Sequence, residues 1–112
     1  MIELTFSGTS LKIDTEEIVL PYSVVDAFVS KGIIVVLLDP DANLEKDKQY
    51  KNLLAYDPSG KKMWEAELPT PKPSDVYWKI VKKDPLVAYS FSSYECEIDL
   101  CSGKIIRSDF YK

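Results

Sequence analysis

No helix can cross residues 52–68, NLLAYDPSGKKMWEAEL, because Pro58 and Gly60 sit in the middle of the stretch. Leu53 to Tyr56 form a short apolar run, and Asp57-Pro58-Ser59-Gly60 follows it. Proline presets φ at the second position of a turn, and glycine tolerates positive φ later in it. Beyond the turn, Glu65, Ala66, Glu67 and Leu68 alternate polar and apolar, as a half-buried strand does. The stretch reads as a β-hairpin, and the rest of the chain has to accommodate one.

The pattern returns near the C-terminus. In Tyr94 to Phe110, YECEIDLCSGKIIRSDF, the residues Cys96, Ile98 and Leu100 alternate with Glu95, Glu97 and Asp99, and Ser102-Gly103 makes the turn. Gly60 and Gly103 stand 43 positions apart, a spacing that suits a propeller-type repeat of roughly 40–45 residues. The Asp57-Pro58-Ser59-Gly60-Lys61 turn followed by Trp64 resembles the blade signature of quinoprotein-type β-propellers. The second copy, Asp99 to Lys104, has one extra residue and carries Arg107 where the first has Trp64. The resemblance covers about two thirds of the chain and implies four-stranded β-meanders. It implies no quinone cofactor, because a ring needs at least about four blades and this chain has room for two.

The remaining segments keep to the same grammar. Ile2, Leu4 and Phe6, the turn Ser7 to Ser10, then Leu11 and Ile13 predict an N-terminal hairpin. Ile18 to Leu20 give another strand, ended by Pro21. Val24 to Val29 and Ile33 to Leu38 are joined by Ser30-Lys31-Gly32. The run Ile33 to Leu38 is unbroken in its apolarity, which predicts a central strand covered on both faces. Residues 39–51 read as one long polar loop. Pro69, Pro71 and Pro73 form an extended connector. Val76 to Val81 fits either a helix capped by Ser74 or a strand, and its Tyr, Trp, Ile and Val content favours the strand. Leu86 to Phe91 is a further strand.

The reading that results is a single all-β, antiparallel domain over residues 1–112 with about eleven strands. An N-terminal hairpin precedes two consecutive blade-like meanders, the first at about 17–68 and the second at about 76–110. At 112 residues, 46% hydrophobic and 29% charged, such a chain can bury one core without staples.

Composition excludes much chemistry. There is no histidine, which removes the commonest general base and metal ligand, and two cysteines cannot complete a tetrahedral zinc site. No glycine-rich phosphate loop and no nucleophile elbow occur. A net charge of −4 argues against nucleic acid. No run approaches the roughly 18 apolar residues of a membrane span, and the N-terminus has no signal-peptide pattern, so a cytoplasmic location with reduced thiols is expected. Cys96 is expected to pack as a small hydrophobe and Cys101 to sit in a turn, with no disulfide between them.

Asp39, Asp41, Asn43, Glu45 and Asp47 place oxygens at alternate positions, like the opening of a calcium loop. Leu44 replaces the required glycine and Tyr50 the closing glutamate, so a solvated acidic loop is expected and no metal or other cofactor. Tyr77 and Trp78 adjoin the proline connector. On a strand they face opposite sides, so only one can be core and the other is free for recognition. Tyr50, Tyr89 and Tyr94 are further aromatic candidates.

The expected binding residues are therefore Tyr77, Trp78, Asp39, Asp41 and Glu45. The expected function is non-catalytic binding of a protein partner, a basic one being the sharper reading of the acidic charge, with a bacterial toxin-neutralising immunity protein as one concrete form. The alternatives are an oligomeric β-module, such as a homodimer pairing through edge strands, and a carboxylate-dependent enzyme.

Overall fold

The computed structural model describes residues 2–41 and 49–111. Eleven strands lie in these segments: β1 (Leu4–Ser7), β2 (Ser10–Ile13), β3 (Glu16–Val19), β4 (Val24–Ser30), β5 (Ile33–Leu38), β6 (Leu53–Tyr56), β7 (Lys62–Glu65), β8 (Tyr77–Lys83), β9 (Leu86–Ser90), β10 (Tyr94–Ile98) and β11 (Ile105–Phe110). They form three antiparallel sheets in which each strand pairs with its neighbour in sequence: β1-β2-β3, β4-β5-β6-β7 and β8-β9-β10-β11. No helix among the described residues is long and apolar enough to cross a membrane. The segment expected over Val76 to Val81 is a strand, β8, which begins at Tyr77 and runs on to Lys83, as its β-branched and aromatic content favours.

The boundary of the first meander differs from the sequence reading. Residues 17–20 are expected in the same unit as β4, after a two-stranded N-terminal hairpin. Instead β3 pairs with β2, with Ser10 opposite Val19 and Ile13 opposite Glu16. The N-terminal unit therefore has three strands, and the next unit begins at Val24. Two backbone bonds explain the shift. Leu20 N–H donates to Thr9 O and Val24 N–H donates to Gly8 O, each at 2.8 Å, which holds the chain against the first sheet until it crosses into β4.

The three sheets stack face to face, and β5 shows why. Its odd-numbered side chains, Val35 and Leu37, enter a core shared with the third sheet, alongside Leu53, Trp64, Tyr77, Leu86, Cys96 and Ile98. Its even-numbered side chains, Ile34, Val36 and Leu38, enter a second core shared with the first sheet, alongside Leu11, Ile13, Leu54 and Tyr56. An unbroken apolar strand is what a sheet sandwiched between two others requires.

The second and third units share one turn device, and the first sets an Asp at the same point. Asp14, Asp57 and Asp99 each end the penultimate strand of their sheet, at spacings of 43 and 42 residues. Asp57 Oδ1 accepts from the N–H groups of Ser59 and Lys61 and from the Ser59 hydroxyl, at 2.9, 3.0 and 2.6 Å. Asp99 accepts from Cys101 N–H and from the Ser102 hydroxyl. Short side-chain acceptors of this kind replace backbone bonds that a tight turn cannot make. Asp14 differs, because its Oδ1 accepts from Glu3 N–H at 2.8 Å, across to the start of the first sheet and not within its own turn. The hydroxyl and amide donors around Asp57 hold its carboxyl below the usual carboxylate range.

Candidate functional site

Tyr77 and Trp78 are adjacent in sequence and end up in opposite environments. The alternation of a strand sends Tyr77 into the core between the second and third sheets, at 0% exposure, and Trp78 to the outer face of the third sheet, at 40%. Tyr77 is fixed by three groups. Its hydroxyl donates to Glu67 O at 2.5 Å, and its backbone bonds the buried Asn52 side chain in both directions. Burial pushes its phenol well above the ordinary range. Of the two aromatics, Tyr77 is thus a core residue and not a binding residue, and Trp78 is the free one.

Trp78 does not stand alone. Its ring lies 5.8 Å from that of Tyr89 on β9, and Tyr89 stacks on Tyr111 at 4.4 Å with an interplanar angle of 29°. A register shift between Tyr77 and Lys79 leaves Trp78 as the extra residue beside the Lys79–Tyr89 pair. The result is a row of three aromatic rings across one open face. Beside it lie Glu95 and Glu97 of β10 and Arg107 and Asp109 of β11, which are cross-strand neighbours. Arg107 approaches all three carboxylates. Tyr111 escaped the sequence reading because it follows the last strand. The β10–β11 pairing, extended by one residue, sets it opposite Ser93, in the turn that follows β9.

The acidic candidates lie elsewhere. Asp39 leaves β5 beside a groove of about 420 Å3 lined by Tyr22, Leu38, Gln49, Tyr50, Tyr56 and Lys62, among others. Tyr50 donates its hydroxyl to Asp39 O at 2.9 Å and meets Tyr22 edge to face at 5.0 Å. Burial raises the phenols of both Tyr50 and Tyr56. Asp41 is exposed, and its N–H bonds Asp39 Oδ1 at 2.9 Å. That bond uses the Asp39 carboxylate locally, in a turn. Glu45, and with it most of the expected calcium-like loop, lies outside the described residues. The structure therefore separates the expected binding set. Asp39 and Asp41 follow the end of β5, where Asp39 meets the groove residue Tyr50, whereas Trp78 belongs to the outer face of the third sheet.

A carboxylate that the sequence did not single out is Asp75, which is 2% exposed. It accepts from Val76 N–H, Ser92 N–H, the Thr70 hydroxyl and the Ser92 hydroxyl at 2.8–3.2 Å. Four donors, with no cation among the described residues, make this a neutral-partner cage that ties the proline connector to the β9–β10 turn. Nothing in its sequence neighbourhood distinguishes it from a surface Asp. Cys96 is buried and Cys101 is exposed, both as free thiols, in line with their expected places. Burial pushes the Cys96 thiol up to about 11. Among the described residues no three His, Cys, Asp or Glu side chains converge in a way that could hold a metal ion.

No curated protein and no solved structure matches the chain. A family model does match, over residues 1–110, and the chain accordingly belongs to the family described as "Domain of unknown function (DUF7957)".

Proposed function

We propose that the protein is a non-catalytic binding module that recognises a protein partner through the outer face of its third sheet. The observation that carries this reading is the row Trp78–Tyr89–Tyr111 on a sheet face that no other described strand covers. Tyr, Trp and Arg are enriched as binding anchors, and the two aromatics give large contact area for few rotatable bonds. The adjoining Glu95, Glu97 and Asp109 exceed Arg107 in charge, and the whole chain carries −4, so a basic partner surface is complementary. Occlusion of a basic site by such a face is how a toxin-neutralising immunity protein would act, and that is the concrete form we favour. A toxin gene beside this one would support it.

The test is Trp78→Ala and Tyr89→Ala, each checked for folding by thermal melt and then used to capture native partners beside the unaltered protein. An anchor of this kind loses more than about 2 kcal/mol of binding on truncation. Folded variants that lose a partner held by the unaltered chain support the face. Folded variants that keep every partner refute it.

A further inference from the structure

We infer that β11 pairs antiparallel with β11 of a second copy, about a two-fold axis at Ser108, joining two third sheets into one eight-stranded sheet. The free edge carries the argument. Among the described residues β11 pairs only with β10. Tyr111 N–H donates to Ser93 O, and Asp109 and Arg107 stand opposite Glu95 and Glu97. Odd-numbered residues thus turn their backbone toward β10, and alternation turns the N–H and C=O of Ser108 and Phe110 to the open edge. At the start of the strand, Ile105 N–H is capped by the Glu67 carboxylate at 3.0 Å, so the open edge begins at Ile106. Ile106 and Phe110 are 61% and 62% exposed, an unusual load for an edge strand.

The register follows from charge. Any antiparallel pairing of a strand with its own copy is two-fold symmetric. An edge ladder must set outward-facing residues opposite each other, so the register can move only in steps of two. Centring on Arg107 sets Arg107 opposite Arg107, and centring on Asp109 sets Asp109 opposite Asp109. Centring on Ser108 sets Arg107 opposite Asp109 twice, and Ile106 opposite Phe110 twice. Opposite charges across a strand pair stabilise it and like charges oppose it. The other edge of this sheet is protected by two register shifts and by Lys79, Lys82 and Lys83, so it lacks a continuous ladder.

Sedimentation velocity over a wide protein concentration range tests the pairing. The unaltered chain is expected to form a dimer. Arg107→Asp alone and Asp109→Arg alone should each weaken it by about tenfold, since each replaces two attractive pairs by two repulsive ones. The double exchange, Arg107→Asp with Asp109→Arg, should restore it, because the pairs remain complementary. Ser108→Pro removes only an N–H that the monomer does not use, and should give a folded monomer. A chain that stays monomeric throughout overturns the inference. So does a folded Ser108→Pro dimer, or a folded double exchange that fails to recover.

Discussion

Trp64 of the second sheet is seated on Gly103 of the third. A Cβ built on Gly103 would lie 2.6–2.8 Å from three atoms of the indole, and the indole N–H donates to Leu100 O at 2.8 Å. The final strand of one unit thereby reads the turn of the next. The unit before repeats the relationship in a weaker form, with Ile18 3.5 Å from the position of a Cβ on Gly60. Gly103 is confined twice over, by a φ of +76° and by the ring above it, whereas Gly32 at φ +77° has nothing within 4 Å.

This contrast can be measured. Gly32→Ala should cost about 1 kcal/mol, the strain of a left-handed conformation alone. Gly103→Ala should cost clearly more, because the indole must also shift and weaken its bond to Leu100, a loss of about 0.5–1.5 kcal/mol by itself. Urea unfolding of the two variants checks this, and equal midpoints would mean that the Trp64 contact yields without cost.

Leu37 is 2% exposed in the core between the second and third sheets. Leu37→Ala should destabilise by about 2–5 kcal/mol, through lost transfer energy and the cavity left behind. Ile34→Ala, on the other face of β5, should cost a comparable amount, since both faces are covered. A urea midpoint unchanged for either variant would place that face at the surface.

The apolar run Ile33 to Leu38 showed its two-sided burial in sequence, because an alternating strand can serve only one core. The hairpins at Gly60 and Gly103 were equally visible through their turn residues. The pairing of β3 with β2 was not, because the Asp14-Thr15 turn between them has neither a glycine nor a proline. The partition of Tyr77 from Trp78 was legible only as an either-or. Choosing between them needs the position of the second sheet, which adjacent residues on one strand do not encode. The aromatic row depends on β8, β9 and the segment after β11 converging, and no local pattern reports a contact between residues 78, 89 and 111.

The two thiols should react very differently. Cys101 is exposed and should be modified rapidly by a thiol reagent at pH 8, while Cys96 should react only on unfolding. Burial keeps the Cys96 proton bound up to about 11 in the folded chain, whereas the unfolded chain releases it near the ordinary value of 9.0. Unfolding then releases a proton between these values, so stability is full below about 9 and falls as pH rises toward about 11. The raised phenols of Tyr50, Tyr56 and Tyr77 continue the loss above about 10. Cys96→Ala should flatten the decline between pH 9 and 10, read from urea midpoints across that range. An unchanged slope would show that the thiol is open to water.

Asn52 supplies one side-chain rung between the second and third sheets. It is fully buried, its amide donates to Leu38 O at 3.0 Å and to Tyr77 O at 2.6 Å, and its Oδ1 accepts from Tyr77 N–H at 3.1 Å. The planar amide offers both a donor group and an acceptor, which is what the edge of β8 requires there. Asn52→Ala leaves these backbone groups unpaired, at about 1–3 kcal/mol for each one that water cannot reach. Asn52→Asp keeps the acceptor but sets a carboxylate against two carbonyl oxygens, so at pH 7 it should be the less stable of the two variants. Protonation would restore one donor. The carboxyl is therefore held above its unfolded value, and its folded form recovers stability as pH falls and loses it again as pH rises. Urea midpoints at neutral and mildly acidic pH measure this directly. If Asn52→Asp and Asn52→Ala have equal midpoints at both, the rung is solvated and does not tie the sheets together.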